Sequence, residues 1–301
     1  MKIDVKKFLL TSIIPIGNMN GNLDILRSWI TQISDYSVRV VLVHDFKDES
    51  TALELKKLVS ENLGLEIIQI SGSFGSPGAA RNRAVSLVDS EWVAFWDCDD
   101  IPLLNNIFNA IDNSDDSVEI LVGGFITRNI DGSITSKRHS KSPSTKSVSI
   151  NPGVWRMVFK SRLVSNIRFE ELMLAEDHLY LSKLKFATRR VKFISSPFYQ
   201  YHIGSSSQLT NNPLALKDLI VASGKILDGL SDESSSEQTI FNLTLVFRQQ
   251  ITLLTRADYR LKLKSIYLIA NFFTELNLRI LKLSFISIKN LIVSARNSKL
   301  L

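Results

Sequence analysis

Apolar and polar positions along the first hundred residues follow two alternating periods. Short apolar runs at 8–15, 38–43, 65–70 and 92–96 have the length and the β-branched or aromatic content of buried strands. Between them apolar residues recur at helical spacing: Leu23, Leu26, Trp29 and Ile30 within 22–33, then Leu53, Leu55, Leu58 and Val59 within 51–63. A third helix is predicted from Pro77 to residue 88, because proline is favoured in a first turn. Strand and helix in this alternation predict an α/β fold built on a doubly wound, mostly parallel sheet.

After residue 100 the rhythm changes. Segments 119–128 and 133–138 flank Asp131-Gly132, a hairpin signal. The Ser/Lys-rich stretch 140–149 reads as a mobile loop, 176–186 as a helix and 191–201 as a strand. From residue 214 onward the patterns are helical, interrupted by the polar connector 231–237. The expected organisation is an α/β domain over 1–212 and a helical C-terminal region over 213–301. No uncharged apolar stretch approaches the ~20 residues of a membrane-spanning helix. The apolar N-terminal run is cut by Pro15 and Asn18, so it reads as a first strand and not as a signal peptide.

With 45% hydrophobic and 22% charged residues, the 301-residue chain has the composition of a globular protein. Its single cysteine, Cys98, excludes an internal disulfide framework and fits a reducing compartment, hence a cytoplasmic setting. The net charge of +6 is uneven. Residues 256–301 hold nine Lys/Arg against two acids, a net of +7; the preceding residues hold 27 against 28, a net of −1. A basic tail on a neutral body points to an anionic surface, here a membrane and not nucleic acid. Lys282, Lys289 and Arg296 lie seven apart and so share one side of a helix, with Ile280, Leu281, Leu283, Phe285, Ile288, Leu291 and Ile292 supplying apolar surface. The same helices would equally serve as an appendage packed on the domain or on a second copy of the chain, making a homo-oligomer.

The densest chemistry is at Asp97-Cys98-Asp99-Asp100, where the fourth apolar run stops at three carboxylates within four positions. An ionised carboxylate away from water is costly without a partner. At the carboxyl end of a strand in an open α/β sheet the same cluster faces a ligand crevice. On an extended backbone Asp97 and Asp99 point the same way and could share Mg²⁺ or Mn²⁺, with sites left for phosphate. Asp100, just before Pro102, could instead cap a helix. Three more features fall at strand ends. Pro15-Ile16-Gly17-Asn18 ends the first, Asp45 ends the second, and a glycine loop leading to Gly78 and Arg81 follows the third. There Gly17 lets backbone approach a ligand, Asp45 accepts from a base or ribose, and a helix N-terminus with a guanidinium suits an anion. Taken singly each is a plain turn or cap; four at consecutive strand ends are not what folding alone requires.

These segments, in this order, resemble the family 2 glycosyltransferases of the GT-A fold, which are inverting enzymes using nucleotide-sugar donors. The family's P-x-x-N-like, Asp-Asp-Gly-Ser-like, Ala-Arg-Asn and D-x-D segments read here as Pro15 to Asn18, His44-Asp45-Phe46-Lys47, Ala80-Arg81-Asn82 and Asp97-Cys98-Asp99. His44, Phe46 and Lys47 depart from the second segment, which leaves the nucleotide open. The resemblance covers roughly 8–210. It implies that Pro15, Gly17, Asn18, Asp45, Gly78, Arg81, Asp97 and Trp155 contact the donor, and that Asp99, with His202 and Asp97, holds a divalent metal, Mn²⁺ or Mg²⁺. It further implies that Asp177, next to Glu176, is the general base, although acids there also suit a helix N-terminus. The implied reaction moves a sugar from a nucleoside diphosphate, UDP among the candidates, to a hydroxyl of a glycan or lipid-linked acceptor. Bacterial surface polysaccharide synthesis at the inner face of the membrane is the setting by analogy. A phosphatase of the haloacid-dehalogenase type fits less well, because its D-x-D follows the first strand. A non-catalytic nucleotide-sugar binding module is the competitor from another class.

Overall fold

The computed structural model describes residues 8–46, 48–129, 133–136, 143–203, 212–274 and 278–298. The chain forms two compact units that interleave in sequence. One comprises Met1–Pro143, Val154–Glu171 and Arg190–Ser207; the other comprises Ser144–Gly153, Leu172–Arg189 and Gln208–Leu301.

The first unit is built on a nine-stranded sheet. Its strands are β1 (Leu10–Ile16), β2 (Val38–Asp45), β3 (Ile67–Gly72), β4 (Trp92–Phe95), β5 (Ile101–Pro102), β6 (Ile120–Asn129), β7 (Ile134–Ser136), β8 (Met157–Lys160) and β9 (Val191–Ile203). Helices α1 (Asp24–Ile30), α2 (Glu49–Glu61) and α3 (Pro77–Ala84) connect the first four strands, and α4 (Leu104–Asp112) follows β5. Strand order is β3-β2-β1-β4-β8-β6-β9-β5, with β7 on β6. β3, β2, β1 and β4 are mutually parallel, as the alternation predicts. β8 is antiparallel to both β4 and β6, and β9 returns parallel to β6, so the sheet is mixed beyond β4. Continuous burial from Val40 to Val43 and from Trp92 to Phe95 shows why these runs lack alternation: both faces are covered. Trp29 of α1 meets Trp96 edge to face at 5.7 Å, locking helix to sheet below the strand ends.

Register brings the four carboxyl ends to one edge, with Ile13 opposite Phe95, Ile16 opposite His44 and Asp45 opposite Gly72. The hairpin expected around Asp131-Gly132 is flanked by β6 and β7, which pair antiparallel through Thr127 and Ser136; residues 130–132 lie outside the described residues.

The second unit holds α5 (Thr145–Ile150), α7 (Glu176–Lys183), α8 (Lys217–Asp228), α9 (Ser236–Arg256), α10 (Tyr259–Thr274) and α11 (Leu278–Ser298); the one-turn α6 (Ser161–Val164) belongs to the first unit. The loop expected over 140–149 is in part helix. Ser144 Oγ accepts from the Ser147 N–H (3.2 Å) while Ser147 Oγ accepts from the Ser144 N–H (2.7 Å), a reciprocal cap that starts α5 and buries Val148. Leu243 and Phe247 of α9 pack with Ile280 and Leu283 of α11. Among the described residues no helix is long and apolar enough to cross a membrane.

Candidate active site

The chain leaves the fourth strand at Phe95, with the Trp96 N–H still donating to the Ile13 carbonyl (3.1 Å), and turns at Cys98–Asp99. The alternation that would align Asp97 with Asp99 therefore does not apply, since the backbone there is a turn and not a strand. Asp97 Oδ1 pairs with Arg81 Nη2 at 2.8 Å, and its backbone N–H donates to the Tyr199 hydroxyl oxygen at 2.8 Å. Burial raises the Asp97 carboxyl above the ordinary range although Arg81 pulls it down. Burial and the neighbouring Asp97 charge push Asp99 up to about 6.

Asp100 does not cap a helix. α4 starts at Leu104 with Leu103 in the cap position and no side-chain cap, because the two-residue β5 pairs with β9 in between. Asp100 is instead buried, accepting the His202 backbone N–H at 2.7 Å. Burial and the charges of Asp99 and Asp97 hold it well above the carboxylate range, opposed by the His202 N–H and the Tyr199 hydroxyl. Tyr199 thus ties the acid turn to β9, a role that sequence reasoning missed. The available signal was an aromatic strand, Tyr199 to Tyr201, leading directly into His202.

The Ala80-Arg81-Asn82 segment divides its labour. Ser76 caps α3 by accepting the Ala79 N–H (3.2 Å), and Pro77 occupies the first turn. Arg81 reaches Asp97 and lies over the Phe169 ring at 5.3 Å. Asn82 grips the Phe169 backbone twice, its Nδ2 donating to the carbonyl (2.9 Å) and its Oδ1 accepting the N–H (2.8 Å). Gly78 is where a Cβ would stand 2.2 Å from the Glu170 carbonyl oxygen, so the α3 entrance abuts that segment with no room for a side chain.

At the other strand ends, Asn18 Oδ1 accepts the Asn20 N–H (2.9 Å), starting a turn in which Asn20 and Gly21 have φ of +50° and +76°. Pro15 lies within β1, and a Cβ at Gly17 would have no atom within 4 Å. Asp45 is buried and its two oxygens accept the N–H groups of Phe74 (2.8 Å) and Gly75 (3.1 Å), which folds the glycine loop onto the end of β2. His44 is fully buried; both ring nitrogens lack a hydrogen-bond partner, and burial lowers its pKa, so it is a neutral ring. Phe46 is 54% exposed, and Lys47 lies outside the described residues.

Trp155 stacks on Tyr201 (5.2 Å, 8°) and on Tyr199 (4.8 Å, 26°) and meets Phe125 edge to face. His202, half-buried, has its Nδ1 3.6 Å from Asp100 Oδ1; burial lowers its pKa, leaving the neutral imidazole that a metal requires. The residues following it, 204–211, lie outside the described residues.

Glu176 and Asp177 belong to the second unit, in the first turn of α7. Ala175 precedes them in the left-handed region (φ +68°), a conformation costing a non-glycine residue about 1–2 kcal/mol. Asp177 Oδ1 accepts the His178 N–H at 2.8 Å.

Among the described residues no three His, Cys, Asp or Glu side chains form a ready metal cage. The acid turn nevertheless suits a hard cation held in part by ligand oxygens. It concentrates three carboxylates, of which Asp97 has Arg81 while Asp99 pairs with no basic side chain among the described residues and is raised to about 6.

A mostly parallel sheet that turns mixed after β4, with acids at the carboxyl edge, is the GT-A architecture of nucleotide-sugar transferases. The family 2 sequence model, described as "Glycosyl transferase family 2", matches residues 13–179, more than half the chain. The chain belongs to that family and is a glycosyltransferase. Its fold is similar to S. aureus TarS 1–349 in complex with UDP-GlcNAc, with a TM-score of 0.69 and 17% identity over 91% of this chain and 83% of that one. It is also similar to the mannosyltransferase PcManGT from Pyrobaculum calidifontis in complex with GDP-Man and Mn²⁺, with a TM-score of 0.53 and 13% identity over 97% and 87% of the two chains. No curated protein matches the chain by sequence.

Proposed function

We propose that this glycosyltransferase is inverting and metal-dependent, moving one sugar from a nucleoside diphosphate donor, UDP-linked in the first instance, to a hydroxyl of a glycan or lipid-linked acceptor. The observation that carries the reading is the Arg81-braced acid turn at the sheet edge that also bears Asp45 and the glycine loop. Fold neighbours solved with UDP-GlcNAc and with GDP-Man and Mn²⁺ support it. In this reading Asp99, Asp97 and His202 would hold Mn²⁺ or Mg²⁺, which supplies charge neutralisation at the diphosphate. Asp97 and Asp45 contact sugar, ribose or base, Pro15, Gly17, Asn18 and Gly78 line the backbone approach, and Trp155 offers its ring to the sugar. Asp177 takes the acceptor hydroxyl's proton as the oxygen attacks the anomeric carbon opposite the leaving diphosphate, and Glu176 supports that helix start.

We assign the catalytic domain to 1–212 and a basic helical region to 213–301. The exposed Leu263, Ile266 and Tyr267 of α10, beside the exposed Arg260 and Lys264, support peripheral contact with an anionic membrane surface, in keeping with a cytoplasmic enzyme of surface polysaccharide assembly. Two copies of so basic a region repel, which disfavours self-association through it.

A thermal-shift panel of nucleoside diphosphate sugars with and without Mn²⁺ tests the donor, followed by transfer assays. Asp99→Ala is expected to abolish metal-dependent donor stabilisation, and Asp177→Asn to keep donor binding while losing transfer. Donor binding with no turnover, unchanged by Asp177→Asn, would instead establish a binding module. No stabilisation by any donor would sink the proposal.

A further inference from the structure

A line of buried polar side chains runs through the helices of the second unit and ends beside Asp177. Ser265 Oγ of α10 donates to Gln250 Oε1 of α9 at 2.5 Å. Gln250 Nε2 donates to Ser223 Oγ of α8 at 2.7 Å. Ser223 Oγ donates to Gln249 Oε1 at 2.5 Å, and Gln249 Nε2 lies 2.7 Å from His178 Nδ1. Ser223, Gln249 and Ser265 are each at most 1% exposed, so no water competes for these groups. Every link runs the same way, donor to acceptor, from α10 towards α7.

That polarity decides where the His178 proton sits. Gln249 presents its oxygen to Ser223, so its amide must donate to Nδ1, which makes Nδ1 an acceptor and puts the ring hydrogen on Nε2. His178 Nε2 faces Asp177 Oδ1 at 3.6 Å, a separation that catalytic hydrogen bonds often close only when substrate is bound. Burial and the Arg248 charge push His178 down to about 3, so the ring is neutral at working pH and holds one hydrogen to place. The reversed chain is equally satisfied internally but turns a lone pair towards a carboxylate. The acid at its end therefore favours the direction in which the Gln249 amide donates to Nδ1.

We infer that Gln249, with Ser223 behind it, is a positioning residue for Asp177, fixing His178 as the Nε2–H tautomer whose N–H is aimed at that carboxylate. The inference rests on the reading of Asp177 as the base. Charged groups nearby include Glu176 on α7 itself, Arg248 of α9, whose charge interacts with Asp177 and with Arg256, and Asp218 of α8, whose carboxylate accepts the Met173 N–H. A donor aimed at Asp177 favours its ionised form. Its loss raises the pKa of the base, so activity disappears at a higher pH as the solution is acidified.

The test uses the full chain labelled with ¹⁵N-histidine. It has four histidines, and His178→Gln assigns the signal. Long-range ¹H–¹⁵N spectra without substrate are expected to show His178 neutral with hydrogen on Nε2. Gln249→Met is expected to let the Nδ1–H form appear and to lower kcat by on the order of tenfold, part of the roughly 10²- to 10⁴-fold that a positioned base contributes. Donor KM is expected to stay unchanged, and the acid limb of the rate profile to move up by about one pH unit. Ser223→Ala, a smaller change, is expected to move the same limb less. A wild-type ring with hydrogen on Nδ1, or a Gln249→Met enzyme with tautomer and acid limb unmoved, overturns the inference. If transfer survives Asp177→Asn the base assignment fails, and the positioning role with it, whereas the wild-type spectrum still decides the hydrogen-bond chain.

Discussion

Arg81→Met removes the guanidinium that pairs with Asp97 while keeping an unbranched stem of similar reach. The Arg81 side chain is 4% exposed and that of Asp97 28%, so the pair lies between the buried and surface limits. Breaking a fully buried pair costs about 3–5 kcal/mol because one charge is stranded; access to Asp97 favours the lower end, about 3 kcal/mol at pH 7. The guanidinium's contact with the Phe169 ring accounts for about 1 kcal/mol of that at most. The pH dependence has a definite sign. Burial already lifts Asp97 above the ordinary range and Arg81 opposes it. Without Arg81 the folded-state pKa climbs further above an unfolded value near 3.9. The folded variant then binds a proton in the window from about pH 3.9 up to that raised value, and its stability falls as pH rises through the window. At pH 4 the stranded charge is neutralised, leaving a loss of about 1 kcal/mol. Urea unfolding in metal-free buffer at pH 4 and pH 7, compared with wild type, measures both losses. Equal losses at the two pH values, or none at pH 7, would refute the reasoning.

Other outcomes follow from single contacts. Gly78→Ala places a Cβ 2.2 Å from the Glu170 carbonyl where ordinary contact begins at 3.4 Å; relieving it is expected to cost about 2–3 kcal/mol in urea unfolding, and an unchanged midpoint would show that the segment yields freely. Tyr199→Phe takes the acceptor from the Asp97 N–H, so melting is expected to fall by the equivalent of about 1–2 kcal/mol together with a smaller Mn²⁺-dependent donor shift; a loss of stability with the donor shift intact would reduce Tyr199 to packing. Ser144→Ala deletes the α5 cap and is expected to cost about 1 kcal/mol, visible as a drop in Tm of about 2–4 °C, with no drop meaning that α5 is held by its buried face alone.

The parallel strands are legible because a strand covered on both faces is a nearly continuous apolar run, as Val40 to Val43 and Trp92 to Phe95 are. The acid turn is legible because charge stops such a run abruptly. Long-range uses of polar side chains are not. Asp100 sits before a proline and reads as a cap, yet its partner is a backbone N–H 102 residues away. Tyr199 reads as strand filling until it is seen to brace the Asp97 backbone. Gln249, Gln250 and Ser265 interrupt helical apolar patterns with no local signal of burial, yet each is buried against another polar group. α5 is hidden for a local reason: its box has serine at the third helical position, where glutamate or glutamine is the stronger signal.

Several residues singled out as donor contacts also build the cradle. Asp45 folds the glycine loop and Arg81 braces the acid turn, while Gly78 makes room for Glu170. Changing them mixes lost stability with lost binding. Asp99 is the acid that separates the two. No basic side chain among the described residues offsets its charge, and burial with the Asp97 charge raises it to about 6. A folded pKa above the unfolded one near 3.9 means that its ionised form opposes folding at pH 7, by an amount whose ceiling is about 2–3 kcal/mol. Asp99→Asn should therefore melt at or above the wild-type temperature in metal-free buffer at pH 7, with the advantage shrinking towards pH 4 as the wild-type acid protonates. In the same protein Mn²⁺-dependent donor stabilisation should vanish. A variant less stable at pH 7 than wild type would mean that Asp99 holds the turn together; a variant that is more stable and still binds donor with Mn²⁺ would remove Asp99 from the metal site.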